Sequence, residues 1–193
     1  MLSKNEWPPL HRAAAAGQVD VVNLFLRCGA DPDLKSSEGD TPLYLAIKNE
    51  QRATAECLLA AGADPNARNS GRNTPLHLVA TIPNPDLARL LLAHGANHTV
   101  RNDRWMYPIL LAVKLNNIKV TRVLADAFPD SWTLTDINGK MAWEYATEDE
   151  IKLMYRRKAT WEVKAPLLFW KKFHNLRLPD NMLPLLRINY VHD

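Results

Sequence analysis

The chain has 193 residues, 47% hydrophobic and 23% charged, which suits one globular domain with an appendage and excludes a low-complexity protein. Its net charge of +3 is unevenly spread: residues 1–150 hold 15 Lys and Arg against 18 Asp and Glu, whereas residues 151–193 hold 9 against 3. A mildly acidic body and a basic tail of net +6 mark the tail as a distinct element.

In chain order, the body repeats itself. Pro8-Pro9-Leu10-His11 opens a first short helical stretch, and Gly29-Ala30-Asp31 follows a second. Thr41-Pro42-Leu43-Tyr44 and Gly62-Ala63-Asp64 come 33 residues later, then Thr74-Pro75-Leu76-His77 and Gly95-Ala96-Asn97 after 33 more. Tyr107-Pro108-Ile109-Leu110 begins a fourth unit. A Thr hydroxyl can cap a helix, and the Pro after it suits a first helical position that needs no amide donor. The Gly can take the left-handed conformation that ends a helix. In the second unit this spacing predicts helices over Leu43–Asn49 and Ala53–Ala61, with Leu45, Ala46, Leu58 and Leu59 buried. Each unit is too small to bury its own apolar face, so neighbours must stack.

These motifs resemble the ankyrin repeat. The resemblance implies an all-α solenoid of helix-turn-helix units with short turn fingers, over an ankyrin-repeat domain at 5–157. Repeats are expected at about 5–37, 38–70, 71–103 and 104–136, with a partial one at 137–157. In that last unit Met141 stands in the Thr slot and Ala142 in the Pro slot. Pro83 and Pro85 replace the family's Gly-His between the helices of the third repeat, so its first helix should end near Ile82. The fourth repeat has lost the Gly-Ala marker and carries Trp105 where a turn Gly is usual.

The tail, 158–193, leaves the repeat pattern. Trp161, Leu167, Phe169, Trp170, Phe173 and Leu178 make it too aromatic for a disordered segment, so it is expected to cover something. It either caps the last repeat, as helical or extended pieces, or docks a second protein. Leu176–Leu186 also resembles the Leu-Pro-rich half of a SOCS box, which would imply a substrate-recognition subunit of a ubiquitin ligase. No cysteine follows Cys57, however, and that box's first half normally holds one.

No phosphate loop, nucleophile elbow or paired-histidine metal motif occurs, so neither an enzyme nor a cofactor is expected. Two cysteines in different slots, Cys28 and Cys57, exclude a disulfide framework and suit a reducing compartment. The first residues lack a signal-peptide core, and no apolar run approaches the roughly 18 residues of a membrane span. A cytoplasmic location is expected, with the nucleus open. The resemblance gives His11 and His77 a structural role in bracing turns. It makes Asn66 either a hydroxylation site or a turn brace.

The family binds proteins through turn tips and late first-helix positions on its concave side. Carried over here, these are Lys48, Asn49, Arg68, Arg72, Thr81, Arg104, Trp105, Met106, Lys114 and Leu115. Arg104-Trp105-Met106-Tyr107 is the strongest local candidate, because interface hot spots favour Trp, Tyr and Arg. Trp105 either anchors a partner or folds back onto a neighbouring turn. A protein partner is expected, and a small-molecule substrate, nucleic acid or membrane is not.

Overall fold

The computed structural model describes residues 7–147. Four helix pairs follow one another: α1 (Pro9–Ala15) with α2 (Val19–Arg27), α3 (Pro42–Lys48) with α4 (Arg52–Ala60), α5 (Pro75–Thr81) with α6 (Pro85–Ala93), and α7 (Pro108–Lys114) with α8 (Ile118–Ala127). A 3-10 turn at Pro129–Thr133 leads to the short α9 (Ala142–Tyr145). The expected tail positions Trp161, Leu167, Phe169, Trp170, Phe173 and Leu178 lie outside the described residues. So does the second helix of the partial fifth repeat. Among the described residues no strand longer than a single bridge, Thr135 to Met141, occurs, and the architecture is all-α.

The helices start where local chemistry starts them. Pro occupies the first position of α1, α3, α5 and α7, as its fixed φ and missing amide favour. The Thr41 hydroxyl accepts the amide of Tyr44 at 3.2 Å. The predicted second-unit helices are each observed one residue earlier, because Pro42 and Arg52 already have helical geometry. Leu45, Ala46, Leu58 and Leu59 are buried as expected.

First helices α1, α3, α5, α7 and α9 pack side by side in one row, each also packing on its own second helix where that is described. One continuous core runs between the rows, through Leu43, Ile47, Leu58, Leu76, Leu87, Leu91, Leu110 and Leu124. No unit encloses this core by itself, so the stack is held by interfaces between neighbours.

Two hydroxyls are misfits in that core. Thr54 and Thr121 are buried, and neither Oγ1 has a hydrogen-bond partner among the described residues. A buried donor left unmade costs more than an apolar group of the same shape. Thr54→Val and Thr121→Val should each raise stability by about 1 kcal/mol. Urea unfolding midpoints check this, and a lowered midpoint would mean the hydroxyls have partners in solution.

The third pair bends where its prolines require. Helix α5 ends at Thr81, and Ile82 leaves it in extended conformation (φ −112°, ψ 131°). Asn84 caps α6 by accepting the amide of Leu87 at 3.3 Å. The fourth pair also ends differently. Phe128 stands in the slot of Gly29, Gly62 and Gly95, and cannot share their positive φ cheaply. Its φ is −134°, and its ring stacks on His98 of the preceding loop at 3.3 Å between centroids.

Candidate functional site

Before α3, α5, α7 and α9 the chain forms a turn finger built on one polar side chain. The hydroxyl of Ser36 accepts the amides of Glu38 and Asp40. Oδ1 of Asn69 accepts Gly71 and Asn73, each at 3.0 Å. Oδ1 of Asn102 accepts Arg104 and Met106, each at 3.0 Å. Oδ1 of Asp136 accepts Asn138 and Lys140, each at 2.8 Å. Such side-chain turns are what Asn, Asp and Ser do when competing with regular structure.

The fingers are also tied to one another. Nδ2 of Asn69 donates to Asp40 at 3.0 Å, and Nδ2 of Asn102 donates to Asn73 Oδ1 at 2.9 Å. The ladder stops after the third finger, because Met106 offers no side-chain acceptor and Asp136 no donor. Asp136 instead accepts the Tyr145 hydroxyl at 2.5 Å, which holds its carboxyl below the usual range and pushes the phenol up to about 12.

Histidines hold two fingers from beneath. Nε2 of His77 donates to the Met106 carbonyl at 3.0 Å, while its Nδ1 accepts the Thr74 amide at 3.2 Å and hydroxyl at 2.8 Å. Burial lowers its pKa to about 4, so the ring is neutral at pH 7. His11 repeats the outward half, with Nε2 on the Asp40 carbonyl at 3.0 Å. Its Nδ1 is buried without a partner, since Pro8 has neither the amide nor the hydroxyl that Thr74 supplies.

The third and fourth fingers each expose a large apolar side chain, Trp105 and Ile137. Trp105 is 50% exposed and has φ +57°, in the slot that Gly39 and Gly139 occupy in the first and fourth fingers. Arg72 holds the same slot of the second finger at φ +56°, and a bulky side chain in either place costs about 1–2 kcal/mol. The Arg101 guanidinium lies 5.6 Å from the Trp105 ring centroid and 4.6 Å from that of Tyr107, so both aromatic rings meet one cation. Trp105 therefore lies against Arg101 of its own unit and keeps half its surface exposed.

The other expected contacts fall as follows. Lys48, Asn49, Arg72, Thr81, Arg104 and Lys114 are exposed, and Leu115 is 51% exposed. Arg68 is half-buried, its carbonyl accepting Lys35 Nζ at 2.9 Å. Met106 corrects the expectation. Its side chain is only 6% exposed and belongs to the core, because the residue before a first helix faces inward while the finger tip faces out. Lys140 and Lys114 approach the Tyr145 ring at 4.0 and 5.7 Å, which puts a finger residue and a late first-helix residue on one surface. Tyr107 belongs to the Arg104–Tyr107 stretch expected from the sequence, whereas Lys140 and Tyr145, in the degenerate last unit, were not among the expected residues.

Asn66 lies in the opposite loops. Its Oδ1 accepts the amide of Asn97 at 2.7 Å, and its Nδ2 donates to the Gly95 carbonyl at 3.2 Å. A modifying enzyme would meet a carboxamide engaged at both ends. Cys28 is exposed and Cys57 partly buried, and both are free, with the Cys57 thiol donating to Asn23 at 3.0 Å. Among the described residues no group of His, Cys, Asp or Glu could hold a metal ion. No described helix is long and apolar enough to cross a membrane.

Comparison with known proteins agrees with this geometry. A model of ankyrin repeats (3 copies) matches residues 1–69, and a model of the ankyrin repeat matches residues 71–103. The mouse 2-5A-dependent ribonuclease is 52% identical over 40 residues, which are 21% of this chain and 5% of that protein. The human palmitoyltransferase ZDHHC13 is 41% identical over 44 residues, 23% of this chain and 7% of that protein. A Caenorhabditis elegans homolog of transient receptor potential cation channel subfamily A member 1 is 52% identical over 40 residues, 21% of this chain and 3% of that protein. The chain thus spans only a small part of these proteins, and each match is little longer than one repeat. With two repeat models covering more than half its length, the chain belongs to the ankyrin-repeat family.

Proposed function

We propose that this protein is a non-catalytic adaptor or scaffold that holds a partner protein against its turn fingers and late first-helix positions, with Trp105 as the anchor. Ankyrin repeats are protein-interaction modules. The observation that carries the finer reading is Trp105 itself. It is half exposed in a backbone conformation that favours glycine, and strain kept at an exposed site points to function. The rigid stack supports it, since a preformed surface loses little ordering entropy on binding. Lys48, Asn49, Arg72, Thr81, Arg104, Lys114 and Leu115 would make the surrounding contacts, with the half-buried Arg68 at the margin. Free thiols on Cys28 and Cys57 accord with work in the reducing cytosol or nucleus, as a free adaptor or as a subunit of a larger complex.

Trp105→Gly separates folding from binding. The substitution relieves the left-handed backbone but loses the Arg101 contact and adds unfolded-chain entropy, so stability should change by less than about 1 kcal/mol. A Trp that packed the fold would cost about 3–5 kcal/mol. Affinity purification with crosslinking mass spectrometry on the full chain supplies the other half. A partner that crosslinks near Arg104 and Lys114 should weaken about tenfold or more in the variant. Undiminished capture by a folded Trp105→Gly chain would remove Trp105 from the interface.

A further inference from the structure

From composition alone the body is acidic, yet its finger side is not. Lys48, Arg72 and Arg104 are exposed there and have no ion-pair partner among the described residues. Lys114 and Lys140 converge on Tyr145, and Arg101 sits against Trp105 and Tyr107. Against these stand two exposed finger-tip carboxylates, Glu38 and Asp103. Many of the remaining acids belong to second helices and their loops, where Asp86 pairs with Arg89 at 2.8 Å. Asp40 is buried and Asp136 is consumed by its own finger and Tyr145. The fold has thus sorted a mixed charge pattern into a face with unmatched cations around exposed Trp105 and Leu115.

Resting on the interaction reading above, we infer that the partner segment held on this face is acidic and carries a large apolar side chain, which seats between Trp105 and Leu115 while its carboxylates meet Arg72, Arg104 and Lys114. Charge complementarity argues for the acid, and the apolar anchors argue for a polypeptide over a nucleic acid. Single-stranded nucleic acid wants a series of stacking faces along an unbroken cationic track. Among the described residues one aromatic side chain, Trp105, is half exposed, and the Arg101 head that would grip a phosphate lies against Trp105 and Tyr107. Asp103 interrupts the track between Arg72 and Arg104.

The test is selection of a random 12-residue peptide library on the full chain, followed by titration of one enriched peptide and of a fluorescein-labelled dT20 strand at about 50 mM salt. The enriched peptides should share Asp or Glu around a Trp, Phe or Leu. An Arg72→Glu/Arg104→Glu chain, checked for an unchanged thermal midpoint, should bind the peptide about tenfold more weakly or worse. Raising salt to about 300 mM should weaken the wild type and not the charge-reversed chain. Neutral or basic enriched peptides that still need Trp105 would overturn the acidic partner and leave the interaction surface standing. Peptides indifferent to both Trp105→Gly and the charge reversal would overturn the surface itself. Tighter binding of dT20 than of any peptide would replace the protein partner with a nucleic acid.

Discussion

Between pH 7 and pH 4 the repeat stack should lose about 3 kcal/mol of stability through His77 alone. Its ring is locked as an acceptor at Nδ1, facing the Thr74 amide and hydroxyl, and as a donor at Nε2, facing the Met106 carbonyl. A proton on Nδ1 would set a donor against the Thr74 amide, and burial removes the water that would stabilise the charge. The folded pKa is about 4 against an ordinary 6.5, so as pH falls below 6.5 the unfolded chain takes the proton first. Over that window the unfolded state holds more protons, and stability falls with pH until about 4. Buried His11 acts in the same direction. Asp40 opposes them lower down, because desolvation raises its pKa and the folded chain then binds that proton first.

The histidine effect is therefore cleanest between pH 7 and 5. Urea midpoints across that range should slope clearly for the native chain. His77→Gln can keep a donor toward Met106 without titrating, and should leave only the smaller slopes of His11 and His98, whose pKa burial also lowers. An unchanged slope in His77→Gln would mean that the ring titrates alike in both states. The same bridge braces the finger that carries Trp105, so acid should loosen the candidate site along with the stack.

Asn117→Ala should cost about 2–3 kcal/mol, more than an N-cap alone is worth. In the first, second and fourth units, the carbonyls of Ala14, Ile47 and Val113 accept the amides of Gly17, Glu50 and Asn116. The matching residue for Ala80 is Pro83, which has no amide. The orphaned carbonyl is met from the next unit, where Asn117 Nδ2 donates to Ala80 at 3.0 Å and to Ile82 at 2.8 Å. The same side chain caps α8 by accepting the Val120 amide at 3.3 Å. Asn84→Ala is the control. It removes the α6 cap and an exposed bond to Glu50, and should cost only about 1 kcal/mol. Equal losses in urea unfolding would show that the Ala80 carbonyl is content with water.

Much of the fold is written in stretches a few residues long. Thr-Pro pairs, glycines and prolines act through their own backbone and nearest amides, so the 33-residue period, the helix starts and the early end of α5 could be read directly. The tertiary structure decided what depends on atoms brought together from different units. It buried Met106 while exposing Trp105, which adjoins it in the chain, because a tight turn points successive side chains in opposite directions. It gave Asn117 a carbonyl from the preceding unit, a contact that no local pattern encodes. It set Arg101 against the rings of Trp105 and Tyr107. Local rules set where each helix begins and ends, whereas the candidate site arises from stacking, which alone determines which side chains lose water and which remain available to a partner.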